Sequence, residues 1–226
     1  MNKGQHTNST YSLELVLSAS VTAYFQQNET YTSNGPLTNK NIVLSILGEF
    51  YTSSATATIY VDATTDKHVK VAKDMVVFYK GLALKAMGGK INDFEQKILE
   101  IIKRETVDKH EVGVVASLPK SYFRAIKRET TNNELLKLSS SSQHVGKERE
   151  ALSLNIDVKS CSYIQSLNCH VVNAVDKKGN IIVFFTGKSP DEFKGNVDIT
   201  CKIKRHQVSK MHGGKETVVN YVKVIN

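Results

Sequence analysis

Two stretches of this chain leave little freedom in how they fold. Leu152, Leu154, Ile156 and Val158 alternate with Ser153, Asn155, Asp157 and Lys159, and Val197, Ile199, Cys201 and Ile203 alternate with Asp198, Thr200, Lys202 and Lys204. Successive side chains of a β-strand point to opposite faces, so this period of two makes a strand with one buried face and one wet face. Between the two stretches, Cys169 to Val175 and Asn180 to Thr186 flank the glycine-containing turn Asp176-Lys177-Lys178-Gly179-Asn180 and read as a hairpin. A last strand is expected over Thr217 to Val224, after the turn Gly213-Gly214. Five closely spaced strands are the number found in a small Greek-key barrel.

The sequence ahead of these strands has a different texture. Residues 1–40 are rich in Asn, Thr, Ser and Gln, with a turn signal at Ser33-Asn34-Gly35-Pro36, and read as a loosely held arm with one strand over Tyr11 to Leu17. Ile42 to Tyr51 is apolar and compact, and the alternation that follows predicts a strand over Thr56 to Asp62. Lys67 to Met87 fits neither period cleanly and leans towards helix. Gly88-Gly89 ends it, and Asn92 can cap a helix over Asp93 to Glu105 that carries Phe94, Ile98, Leu99, Ile101 and Ile102 on one face. A second helix is expected to start after Pro119, which suits a first turn, with Tyr122, Phe123 and Ile126 inward and Lys120, Arg124, Lys127 and Arg128 outward.

The run Ser139-Ser140-Ser141-Ser142 has the composition of a connector. The expected organisation is therefore a polar N-terminal arm (1–40), a mixed α+β domain (41–138), a Ser-rich linker (139–143) and an OB-like β-barrel domain (144–226). In fold class this is α+β: a C-terminal five-stranded OB-type β-barrel preceded by a smaller mixed α/β region with two helices.

Charge and cysteine usage bound the function. The net charge is +8, and it is uneven: 16 Lys/Arg stand against 10 Asp/Glu from Lys127 to Asn226, and 14 against 12 before it. The positive field thus belongs mainly to the C-terminal part, where a polyanion is attracted. No apolar run is long enough to span a bilayer, and the polar start Met1 to His6 lacks the pattern of a signal peptide, so a cytoplasmic protein without a membrane partner is expected. Cys161, Cys169 and Cys201 are odd in number and form no C-x-x-C pair, which fits free thiols. Groupings of Cys201 with His206 and His212, or of Cys161 and Cys169 with His170, match no zinc spacing, and Cys201 shares the inward phase of its strand. No metal and no cofactor is expected.

The order of several features resembles a known module. His144-Val145-Gly146, a long first strand, the turn Asp176, Gly179, Asn180 into Ile181-Ile182-Val183-Phe184-Phe185, Gly195, then Lys202-Ile203-Lys204-Arg205-His206 and Gly214-Lys215-Glu216-Thr217 look like a C-terminal OB-like module of poorly characterised phage and bacterial proteins. Asp93-Phe94-Glu95 through Gly113-Val114-Val115-Ala116 to Tyr122-Phe123 is similar to the helical segment that often precedes it. Many members carry a cysteine-rich, zinc-binding segment further upstream, whereas residues 1–126 of this chain contain no cysteine. The resemblance implies a barrel that binds single-stranded nucleic acid, in host cytoplasm if phage-encoded.

OB barrels lay a single strand across their second and third strands, with cations on the phosphates and aromatics under the bases. The candidate cations are Lys202, Lys204, Arg205, Lys210 and Lys215, since the segment from Lys202 to Lys215 has no acidic residue and Gly213-Gly214 would let a phosphate approach the backbone. Lys202 and Lys204 also suit the solvated side of an alternating strand. Tyr163, Tyr221 and one of the adjacent pair Phe184 and Phe185, with Phe184 the nominated member, are the candidates for stacking; Lys120, Arg124, Lys127 and Arg128 would extend the groove. No P-loop, G-x-G-x-x-G, G-x-S-x-G or H-E-x-x-H occurs, which argues against an enzyme of those kinds. The expectation is a non-enzymatic accessory protein that binds single-stranded DNA or RNA. The alternative is a protein-interaction or scaffold module that pairs through exposed strand edges, with the N-terminal region available for a protein partner or homo-oligomer.

Overall fold

The structure, a computed structural model, describes residues 9–35, 37–49, 61–89 and 91–225. The chain is mixed α and β, with a helical first unit, residues 1–125, and a second unit, residues 126–226, that holds a closed five-stranded barrel. The division falls inside one long helix, ahead of the Ser139–Ser142 run.

The first unit opens with strand β1 (Thr10–Ser12), which pairs antiparallel with β2 (Thr106–Asp108). Helix α1 (Leu13–Gln26) follows immediately. The strand expected over Tyr11 to Leu17 is therefore only its first residues, and the supposed loose arm contributes a core helix. Ser18, Ser20 and Thr22 are buried in α1, and their hydroxyls donate to the carbonyls of Glu14, Val16 and Ser18 at 2.6–3.0 Å. Back-bonding of this kind satisfies a hydroxyl in the interior, so polar residues enter the core without a helical polar stripe to announce them.

Helix α2 (Asn39–Ile46), α3 (Asp66–Lys80) and α4 (Leu82–Met87) come next. The strand expected over Thr56 to Asp62 lies outside the described residues, except for Val61 and Asp62, which are in neither helix nor strand. Helix α5 (Asp93–Arg104) matches its sequence signature, since the Asn92 side chain accepts from the Glu95 amide while Glu95 accepts from the Asn92 amide. Its Ile98, Leu99, Ile101 and Ile102 are buried.

Helix α6 (Val112–Ser139) departs from expectation in length. It starts before Pro119, because Val112, Val115, Ala116 and Leu118 are buried on the first core and hold the turns before the proline in place. An interior proline forfeits one helical hydrogen bond, a local loss of ~3 kcal/mol that core packing offsets here. Ile126, expected to face inward, is exposed. The chain thus contains more helix than the two expected.

The second unit comprises the end of α6 and strands β3 (Ala151–Ile164), β4 (Cys169–Asp176), β5 (Ile181–Thr186), β6 (Gly195–Val208) and β7 (Lys215–Val224). Around the barrel the order is β3-β4-β5-β7-β6, closed by pairing of β6 with β3. All neighbours are antiparallel except β5 and β7, which run parallel. Ile156, Val172, Ala174, Ile182, Phe184, Ile199, Cys201, Ile203 and Val219 fill the interior, and Phe193, from the connection between β5 and β6, packs edge-on to Phe184 at 5.3 Å. The β4–β5 turn is tied as its sequence implies: the Asp176 carboxylate accepts from the amides of Lys178 and Asn180, and Gly179 has φ +83°.

The Ser run is anchored to the barrel. Ser142 is buried; its hydroxyl donates to the Lys215 carbonyl at 2.7 Å and accepts from the Ile181 amide at 2.9 Å.

Candidate nucleic-acid interface

Two outer faces of the barrel differ sharply in what covers them. On β4 and β5 the outward residues Val171, Val175, Ile181 and Val183 are apolar, and Leu135 and Leu138 of α6 pack on them; Leu135, Val175, Ile181 and Val183 are buried. Each buried aliphatic side chain of this size contributes about 1.5–3 kcal/mol. Lys159 adds an ion pair to Glu134 at 3.7 Å. The end of α6 also closes on the β6–β7 connection, where a Cβ placed on Gly214 would lie 2.3 Å from the Ser139 carbonyl oxygen. Gly214 therefore gives close approach to the protein's own helix end, and the expectation that it admits a phosphate is corrected.

On β6 and the C-terminal half of β7 the outer face is polar, cationic and open, whereas Glu216 and Val218 in the first half of β7 are buried. Lys202 and Lys204 stand on the outward phase of β6, exposed, while Cys201 and Ile203 between them are buried. Lys202 faces Asn220 of β7 and Ala151 of β3, and Thr200 faces Lys223. The ion pairs described in residues 126–226 join Lys159 to Asp157 and Glu134, Lys188 to Glu192 and Lys194 to Asp191. Among the described residues none uses Lys202, Lys204, Arg205, Lys210, Lys215 or Lys223. Arg205 follows a register shift after Ile203 and donates to Gln207 at 2.7 Å, while Lys215 donates to Gln143 at 2.7 Å, so these two cations are partly engaged by neutral partners. Lys210 is exposed in the β6–β7 connection.

The aromatic candidates separate. Phe184 is fully buried in the barrel and is corrected out of the stacking set; its neighbour Phe185, on the opposite phase, is 48% exposed. Tyr163 is exposed at the far end of β3, its hydroxyl donating to Asn168 at 2.6 Å and its ring 5.2 Å from His170. Tyr221 is 76% exposed and has a left-handed φ of +53°. Of the basic helix residues, Lys120 and Arg124 belong to the first unit and Lys127 and Arg128 to the second; all four are exposed.

Lys223 and Asn220 were missed by sequence reading. The outward phase of β7 shifts beside Tyr221, so counting by twos from Thr217 puts Lys223 on the wrong face. His144 and His206 form a parallel stack at 4.5 Å, with His144 Nε2 against the Gln207 carbonyl and His206 Nε2 against that of Val145, which pins the strand-entry segment to β6.

Neither cysteine–histidine grouping from the sequence forms a three-ligand cluster. Among the described residues the one such group is Asp108, His110 and Glu111. Its carboxylates are already used: Arg104 donates to Glu111 at 2.5 Å and lies 3.7 Å from Asp108, and the Asp108 amide donates to Glu111. No helix among the described residues is long and apolar enough to cross a membrane. No known protein family, curated protein or solved structure matches the chain.

Proposed function

We propose that the barrel is of the OB type and that the protein binds single-stranded nucleic acid without catalysis. The strand order, the parallel β5–β7 pair and the closure through β3 and β6 are the features of that barrel class that support the first part. The observation that carries the second is the row Lys202, Lys204 and Lys223 on adjacent strands, exposed and without an ion-pair partner among the described residues. Uncompensated cations on one rigid face release counterions when they meet phosphates, which is the main source of affinity for a flexible polyanion. Exposed aromatics beside them offer the sequence-tolerant stacking that single strands need.

A scaffold role through edge pairing has less support, because every strand of the closed barrel has a neighbour on both sides. The deciding experiment is fluorescence anisotropy with a labelled single strand of about 30 nucleotides against a matched duplex, at low and moderate salt. The expected result is preferential single-strand binding whose log K falls by about 0.7 per neutralised phosphate against log salt, lost when Lys202, Lys204, Arg205 and Lys215 are changed to Ala. No binding at low salt rejects the reading.

A further inference from the structure

We infer that the strand is held at the Tyr221 bulge, on the outside of β7, β6 and the Phe185 end of β5, and that the part of the β4–β5 face covered by α6, used by default in such barrels, takes no part; this rests on the nucleic-acid reading above. The default face is sealed by the protein itself. Leu135 is buried against Val175, Ile181 and Val183, and Ser139 leaves no room for a Cβ at Gly214, so the helix end fills the place a base would take. An apolar seal of this kind is part of the core and does not yield to a polar ligand.

The neighbouring β7–β6 face carries a strained residue. Between the pairs Thr200–Lys223 and Lys202–Asn220, Tyr221 and Val222 both stand against Cys201, which is a β-bulge. Val222 stays packed on the barrel core, and Tyr221 turns its ring out to 76% exposure with φ at +53°, the only aromatic residue with a positive φ among those described. A bulky side chain in the left-handed region is held against its preference, and such strain gathers where a side chain is aimed for use. Beside it, the Asn220 amide oxygen is shielded and without a hydrogen-bond partner, an orphan acceptor facing Lys202.

The neighbours complete a site with the chemistry of a single strand. The parallel β5–β7 pairing runs to Phe184 and Val219, so Phe185 and Asn220 are the next residues of the two strands, with Tyr221 following at the bulge. Lys202 and Lys223 flank the bulge from β6 and β7. Three adjacent strands span about 10 Å, which lets a base lie on an aromatic ring while its flanking phosphates meet the two ammonium groups. Asp198 is the acid on this phase of β6, and it is occupied by the Asn155 amide at 2.8 Å.

The test measures single-strand anisotropy for the full chain, with Tyr221→Gly and Tyr221→Phe, and compares Lys202→Ala/Lys223→Ala with the charge-matched pair Lys177→Ala/Lys178→Ala on the β4–β5 turn. Tyr221→Gly is expected to weaken binding by about 5- to 150-fold, the loss of one stacked base, while its melting temperature holds or rises as the strain is released. Tyr221→Phe should bind as wild type. Lys202→Ala/Lys223→Ala should reduce the salt slope by about 1.4, and the turn pair should leave it unchanged. Equal effects of the two lysine pairs, or full affinity in Tyr221→Gly, overturn the bulge as the site while leaving single-strand binding intact; absence of binding by wild type overturns both.

Discussion

Gly214 and the Ser139 backbone lie so close that a single added methyl would sit 2.3 Å from the Ser139 carbonyl oxygen and 2.6 Å from its Cα. The contact joins the last residue of α6 to the β6–β7 connection, and the obstructing atoms are backbone, which cannot swing aside. Gly214→Ala should therefore destabilise the second unit by about 1–3 kcal/mol, the usual result of overpacking. Gly213→Ala is the contrast: it has open space but φ +71°, so its loss comes from backbone conformation alone. Urea denaturation of the two variants, followed by far-UV circular dichroism, checks the ranking; a fully stable Gly214→Ala would mean that α6 does not close on the barrel as described.

Leu135 and Leu136 are adjacent and opposite in environment, 1% and 54% exposed. Leu135→Ala should cost about 2–5 kcal/mol and Leu136→Ala less than about 0.5 kcal/mol. Equal losses in denaturant unfolding would contradict the packing of α6 on Val175, Ile181 and Val183.

Phe184 and Phe185 are a second adjacent pair with opposite environments, one buried and one exposed. Phe184→Ala should lower stability by about 3–5 kcal/mol, because the ring fills the barrel against Phe193. Phe185→Ala should leave stability nearly unchanged and weaken single-strand binding, which separates a core residue from a surface one in the same two assays.

Tyr79 gives a pH dependence. Burial pushes its phenol up to about 12, while its hydroxyl donates to the Leu118 carbonyl at 2.9 Å and meets Ser121 at 2.6 Å. The folded state favours the protonated phenol, so this contribution is fully present below about pH 10, the unfolded value, and is lost as pH rises towards 12. The stability advantage of wild type over Tyr79→Phe should shrink between pH 9 and pH 11.5, by up to about 2 kcal/mol. A constant difference across that range would place Tyr79 in a wetter setting.

Cys201 is buried in the barrel, and burial pushes its thiol up to about 11. At pH 8 it should react with a thiol reagent only as fast as the barrel opens, and unfolding in urea should abolish the protection. Labelling of Cys201 in the native protein at the rate of an unfolded control would contradict the interior placement that also argues against it as a metal ligand.

The barrel strands were legible because each has one apolar face: the alternation at Leu152–Val158 and Val197–Ile203, and the Asp176–Asn180 turn, follow from side-chain period and local turn chemistry. The capping box at Asn92 and Glu95 is equally local. Helix α1 was not legible, since Ser18, Ser20 and Thr22 bond to their own helix and enter a core that no periodicity marks. Pro119 misled for a related reason: the helix around it is held by packing of Val112, Val115, Ala116 and Leu118 on a core whose other members are far away in sequence. At the candidate interface the sequence determined which cations exist and that Phe184 and Phe185 oppose each other. Only the tertiary structure decided which of the two is buried, that α6 covers β4 and β5, and that a bulge turns Tyr221 outward beside Lys202 and Lys223. Composition and period are properties of neighbours along the chain. Occupancy of a face and the phase of a strand past a bulge depend on what packs across it.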